Sequence, residues 1–284
     1  MRYFFLRFPG GKAKAVTFSY DDGPQADRRL VSIFDKYGMK STFNFNNADF
    51  HARYTDAELD ELFLSKGHEI AVHGAHHRAN GVLRPIEGIR EVLDCRLELE
   101  ARCGRIIRGM AYPDSGIRVM SNFVDYDSVR RYLSDLGIAY ARTLGGDNNK
   151  FDLPEDFYAW MPTAHHKNPE LLRYVDEFLA LDISPNVYSA RRRPRLLYIW
   201  GHSYEFDRDD NWDLIETVCE KLAQSDEIWC ATNIEIHDYV EAYGRLVYSA
   251  DGHRVYNPTL IDIFVDVDGV PYTIPSGATV EIEA

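Results

Sequence analysis

Short apolar runs alternate with segments of helical period from Ala15 to about Gly244. The run Ala15-Val16-Thr17-Phe18-Ser19-Tyr20 predicts a strand, after which Leu30, Ile33, Phe34 and Tyr37 share one helical face that stops at Gly38. Ser41 to Phe45 predicts a second strand, and Thr55 with Glu58 three residues on is a capping-box pattern opening a helix that closes at Gly67. Two further units follow. Glu69-Ile70-Ala71-Val72 leads to a helix carrying Ile89, Val92, Leu93 and Leu97 and ending at Gly104. The run from Ile106 to Ala111 leads to a helix with Val129, Tyr132, Leu133 and Leu136, ending at Gly137. Ile138 to Ala141 is another strand, Asn168-Pro169 opens a helix with Leu171, Leu172, Val175 and Phe178, and Leu196 to Trp200 is a continuous buried-strand run. A helix from about Trp212 to Leu222, the strand Ile228 to Ala231 and a helix capped by Thr232 and Glu235 complete the pattern.

About seven strand-helix repeats imply an α/β fold with a parallel sheet, closed most simply into a distorted barrel and otherwise open and doubly wound. Residues 246–284 break the pattern. Leu246 to Tyr248, Leu260 to Val265 and Thr279 to Ile282 are strand-like and separated by the turn signals Asp251-Gly252, Asp268-Gly269 and Ser276-Gly277. The expected division is a barrel over 1–245 and a small β appendage over 246–284.

Composition narrows the class. Hydrophobic residues at 45% and charged residues at 27% describe an ordinary globular chain rather than a disordered or fibrous one. A formal net charge of -13 argues against nucleic acid as partner. No apolar stretch approaches the roughly 18 residues of a membrane span, and Arg7 interrupts the apolar start before a signal-peptide core forms, so the expected location is cytoplasmic. Cys95, Cys103, Cys219 and Cys230 form no CxxC pair, and a shared helix would hold the first two too far apart to bridge, so reduced thiols are expected.

Candidate chemistry collects where strands end, the functional face of a parallel α/β fold. Asp21 and Asp22 follow the first strand, in a Tyr20 to Pro24 segment that is also ordinary turn chemistry. His73 and His77 follow the third strand, with the four-residue spacing of paired metal ligands. His202 follows Ile199-Trp200-Gly201, and Tyr112-Pro113-Asp114 follows the fourth strand as a loop able to aim backbone N–H groups at a substrate oxygen. His76, His165, His166 and the run Arg191-Arg192-Arg193 read as ordinary loop residues, and Gly145-Gly146 has no phosphate-loop context.

Taken in order, Thr17 to Gly23, His73 to His77, Ala111-Tyr112-Pro113 and Ile199 to His202 resemble the signature of the polysaccharide deacetylases (NodB homology, carbohydrate esterase family 4), over about residues 13 to 240. The resemblance implies a distorted (β/α)7 barrel and one divalent metal, zinc, held by Asp22, His73 and His77. It also implies Asp21 as base toward metal-activated water, His202 as acid, and Tyr112, Asp114 and Trp160 as oxyanion or substrate contacts. Three positions depart from the family pattern. Gly74 replaces a Ser or Thr that would steady the histidine loop, Ala111 occupies the slot of an Arg that tethers the base, with Arg108 out of register, and Asp114 occupies the slot of a Tyr after the Pro. The fourth motif is ambiguous among Asp147, Asp152, Asp156 and Trp160. The implied reaction removes N-acetyl groups from an N-acetylated sugar or polysaccharide. The alternatives are a metal amidohydrolase of a small non-sugar amide or cyclic imide, and a metal-bearing carbohydrate-binding protein without turnover, for which the missing Arg is the motive.

Overall fold

The computed structural model describes residues 2–47, 53–144 and 150–283. Its strands are β1 (Phe4–Arg7), β2 (Lys14–Asp21), β3 (Thr42–Phe45), β4 (Glu69–Val72), β5 (Gly109–Ala111), β6 (Tyr140–Arg142), β7 (Ala164–His165), β8 (Arg195–Gly201), β9 (Ile228–Cys230), β10 (Val247–Tyr248), β11 (Arg254–Tyr256), β12 (Ile263–Val267), β13 (Val270–Ile274) and β14 (Thr279–Glu281). Its helices are α1 (Asp27–Tyr37), α2 (Asp56–Glu58, widening into a π turn over Leu59–Leu64), α3 (Pro85–Cys103), α4 (Tyr126–Asp135), α5 (Leu171–Ala180), α6 (Tyr204–Asp209), α7 (Trp212–Ala223) and α8 (Asn233–Gly244). Both expected capping boxes form, at Thr55/Glu58 and Thr232/Glu235. All four cysteines are free.

The parallel sheet runs β6-β5-β4-β3-β2-β8-β7, with β9 along the first half of β2. Its two edges are joined by one short stretch of chain. Trp160 bridges Arg142 on β6, Thr163 N–H donates to Tyr198 O on β8 at 2.8 Å, and Ala164–His165 pairs with Ile199–Trp200. This closure makes the sheet a distorted barrel, as expected, and uses a two-residue strand too short for its sequence to announce.

Every residue of β2 is buried, but its two faces meet different surroundings. Val16, Phe18 and Tyr20 pack outward with Leu30 and Phe34 of α1, whereas Thr17, Ser19 and Asp21 hydrogen-bond within the barrel, as the two-residue period of a strand requires. The interior is accordingly polar, and its floor is the N-terminus of α8. Thr17 donates to Asn233 Oδ1 at 2.8 Å, and Asn233 donates to the Tyr198 hydroxyl. Glu69 accepts from Thr42 Oγ1, the Ile234 N–H and the Tyr140 hydroxyl at 2.8, 2.9 and 2.8 Å. Burial pushes the Glu69 carboxyl up to about 7 despite these donors.

Residues 246–284 form five short strands in two antiparallel three-stranded sheets, β10-β11-β14 and β1-β12-β13. The second sheet takes β1 from the opposite end of the chain, a strand the sequence pattern does not separate from its surroundings. It is pinned by a buried carboxylate. Asp266 Oδ2 lies 3.4 Å from Arg7, and its Oδ1 accepts from Arg192 and from the Gly269 N–H. Arg192, expected in a solvated turn, is therefore buried. Among the described residues no helix is long and apolar enough to cross a membrane.

Candidate functional site

The ends of β2, β4 and β8 bring Asp21, Asp22, His73, His77 and His202 together. The donor atoms of Asp22, His73 and His77 all lie within 4.8 Å of one another. His73 Nδ1 is 3.0 Å from Ala111 O, and a carbonyl can only accept, so Nδ1 carries the proton and Nε2 is the bare nitrogen. That Nε2 faces Asp22 Oδ1 at 3.6 Å, and His77 Nε2 faces the same oxygen at 3.4 Å. Burial holds His73 below the usual histidine range, which favours the neutral ring a ligand needs. Two imidazole nitrogens and one carboxylate oxygen are the donor set of a catalytic zinc site, so these residues fit a divalent ion.

The local backbone is unusual at two of these positions and at Asp114 after β5. Asp22, His77 and Asp114 have φ of 73°, 56° and 51°, a left-handed region that costs a non-glycine residue energy and concentrates at functional sites. Asp22 is held there by Asn46 Nδ2 at 3.0 Å from its carboxylate and by Arg53 at 2.6 Å from its carbonyl. The histidine loop is steadied differently from the family pattern. Glu91 on α3 is buried and accepts from the His76 and Arg78 N–H groups at 2.8 Å each, and from His76 Nδ1 at 3.1 Å. A Cβ on Gly74 would stand 2.7 Å from Glu91 Oε1, and Gly74 has φ +81°, so the glycine makes room for the carboxylate that does the tying.

The missing tether is also supplied from elsewhere. Arg142, fully buried at the end of β6, donates to Asp21 Oδ2, while Asn44 Nδ2 donates to Asp21 Oδ1 at 2.9 Å. The guanidinium also lies 4.2 Å over the Trp200 ring. Burial raises the Asp21 carboxyl, but Arg142, His73 and His202 outweigh it and leave it below its ordinary value.

His202 stands at the opposite side of Asp22, its Nε2 3.9 Å from Oδ2. Its Nδ1 is 3.2 Å from Glu205 Oε2, and a carboxylate held ionised can only accept. Burial lowers His202, but the Glu205 hydrogen bond and the charges of Asp21 and Asp22 raise it above its ordinary value overall. Glu205 is raised by burial, yet the hydrogen bonds from His165 and His202 hold it well below the carboxylate range. His165 Nε2 meets the same Oε2 at 3.2 Å, and Arg208 donates to Oε1 at 3.1 Å. His166 is buried, its ring stacked 4.2 Å from Phe206, and burial with His165 pushes it down to about 3. A Cβ on Gly201 would strike its ring at 2.0 Å.

The remaining expected contacts sit elsewhere. Trp160 is 1% exposed and packs edge-on against Tyr140, Phe157 and Tyr198 in the core, so it offers no substrate surface. Tyr112 is buried, its hydroxyl donating to Tyr158 O at 2.9 Å and its N–H to Arg142 O at 3.0 Å. Asp114 is exposed on the following turn. Asp152 pairs with Arg195, Asp156 caps the 3-10 turn at Tyr158, and Arg108 pairs with Asp238. Asp147 and the Gly145-Gly146 pair lie outside the described residues. Asn44, Arg142 and Glu91 were not anticipated. The one sequence signal for Arg142 is a charged residue closing an otherwise apolar strand.

Residues 9–141 match the family described as Polysaccharide deacetylase, which bears out the resemblance over that segment. The match includes Asp21, Asp22, His73, His77, Tyr112 and Asp114 and stops one residue before Arg142. No curated protein matches the chain. Three solved structures share the fold. One is described as a probable polysaccharide deacetylase from Pseudomonas aeruginosa PAO1, with TM-score 0.59 and 14% identity, covering 81% of this chain and 92% of that one. Another is a Puue allantoinase, with TM-score 0.58 and 13% identity over 81% and 91%. The third is a mutant of BA3943, described as a CE4 family pseudoenzyme, with TM-score 0.51 and 15% identity over 82% and 70%. These three structures span hydrolases and a pseudoenzyme, so the shared fold leaves the choice of chemistry to the site.

Proposed function

We propose that this protein hydrolyses the N-acetyl group of an N-acetylated sugar or polysaccharide, releasing acetate and a free amine. The observation that carries the reading is the division of labour between adjacent carboxylates. Asp22 faces two imidazole nitrogens, while Asp21 has one oxygen held by Arg142 and the other by Asn44. A divalent ion held by Asp22, His73 and His77, zinc by its donor set, would supply a Lewis acid that makes water more acidic and polarises the acetyl carbonyl. Asp21, ionised and fixed, accepts the proton of the attacking water. His202 gives a proton from Nε2 to the departing nitrogen as the C–N bond breaks, its other nitrogen held by Glu205. The Asp114 N–H is assigned to the oxygen on which negative charge develops.

The reading without turnover drew on the missing Arg, and Arg142 removes that motive. The decisive experiment incubates zinc-loaded protein with N-acetylglucosamine oligomers and, separately, with cyclic imides, and measures released acetate and ring opening. Acetate from the oligomers is the expected result. Ring opening without acetate release would overturn the reading in favour of the small-amide alternative.

A further inference from the structure

We propose that His165 is a positioning residue for the acid end of the site, bracing Glu205 so that His202 is held with Nδ1 protonated and Nε2 turned toward Asp22. The Lys167 N–H donates to His165 Nδ1 at 3.1 Å, so that nitrogen is an acceptor and the ring proton of neutral His165 sits on Nε2. Nε2 then donates to Glu205 Oε2, the same oxygen that accepts from His202 Nδ1, each at 3.2 Å. The donor atoms of His165, His166 and Glu205 also lie within 4.8 Å of one another, as ligands of an ion would. The Lys167 N–H decides against that use, because it commits His165 Nε2 to donating a hydrogen rather than a lone pair.

With Arg208 on Oε1, both oxygens of Glu205 are fixed, and the carboxylate cannot turn away from His202 without losing a donor. His165 is itself seated on the barrel. Its ring stands edge-on to Trp200 at 4.5 Å and 86°, and the same indole carries the Arg142 guanidinium that holds Asp21. One side chain thus seats the tether of the base and the brace of the acid. His165 touches neither of the carboxylates assigned to the ion and the water; its ring centroid lies 6.0 Å from that of His202, and its hydrogen-bonding path to that residue runs through Glu205.

This inference rests on the proposed role of His202, and its test separates the two. In wild-type protein at a pH where His202 is neutral, ring 15N shifts should report the Nδ1–H tautomer; in His165→Ala they should report a mixture, and His165→Gln, whose amide can donate to Glu205, should restore the wild-type pattern. On the substrate that wild type turns over, His165→Ala should lower kcat on the order of tenfold or more with KM and zinc content unchanged, and His165→Gln should recover most of it. An unchanged tautomer in His165→Ala, or a Gln variant no better than Ala in both measurements, overturns the proposal. The tautomer result stands whether or not the protein proves to be a deacetylase, and thermal melting of both variants excludes unfolding as the cause.

Discussion

Arg142 at the end of β6 reaches across the barrel mouth to Asp21 at the end of β2, 121 residues away in sequence. Both side chains are buried, so the guanidinium is a direct counter-charge to a carboxylate shielded from water. Arg142→Met should therefore lower turnover on the order of 10²-fold while leaving zinc content intact. Because Arg142 draws the Asp21 carboxyl down against the upward push of burial, its loss should raise that carboxyl. The ascending acid limb of kcat/KM should move to higher pH, and an unmoved limb would mean that Arg142 does not tune the base.

The neighbouring carboxylates should respond in opposite ways to the same change. Asp21→Asn is expected to retain zinc and substrate affinity and lose nearly all turnover, whereas Asp22→Asn should lose zinc itself. Metal analysis beside single-turnover kinetics separates the two, and equal zinc loss in both variants would erase the distinction between base and ligand.

At the other end of the site, His202→Ala should keep its zinc and slow turnover by about 10²–10⁴-fold. Glu205 acts on the same group by charge. Burial lowers His202, and the Glu205 hydrogen bond is the largest influence raising it. Glu205→Gln should thus let His202 lose its proton at lower pH, moving the descending alkaline limb of the pH–rate profile downward.

The barrel floor predicts a stability slope independent of catalysis. Glu69 holds its proton to about 7 in the fold, against an ordinary 4.5 in the unfolded chain. Below about 4.5 both states are protonated and the group contributes nothing. As pH rises toward 7 the unfolded chain ionises first, so stability falls, by about 3 kcal/mol in all, and is level above. Denaturant melts between pH 4.5 and 8 should show this loss, and Glu69→Gln should flatten it.

Asp266 joins Arg7 and Arg192 in a buried cluster between the two ends of the chain. Removing the carboxylate leaves two buried guanidinium groups without their counter-charge, a change worth about 3–5 kcal/mol. Asp266→Ala should show that loss in thermal unfolding with the specific activity of the folded fraction unaltered, since every residue assigned to the reaction lies at the far mouth of the barrel. Ending the chain near Arg245 should act in the same sense and more strongly.

What the sequence made legible was local. Asp21, Asp22, His73, His77 and His202 each follow an apolar run, and the rule that parallel strands present their chemistry at one end was enough to gather them. The capping boxes at Thr55 and Thr232 could be read because all their parts lie within four residues. The errors were non-local. Arg142 looks like any strand-ending arginine until β2 and β6 curl into one barrel; Trp160 looks like a sugar platform until its neighbours close over it; and Glu91 replaces a hydroxyl from a helix the motif does not include.

The pairing of Phe4 with Val267 also sets an order of events during synthesis. β1 is synthesised long before β12 and must wait, unpaired, until β12 arrives. The barrel strands between them can associate earlier through their shorter loops, but the sheet that pairs β1 with β12 is a late, high-contact-order step. A nascent chain stalled before residue 263 therefore carries an open strand edge and two arginines awaiting Asp266, and is the form most exposed to chaperones and proteases.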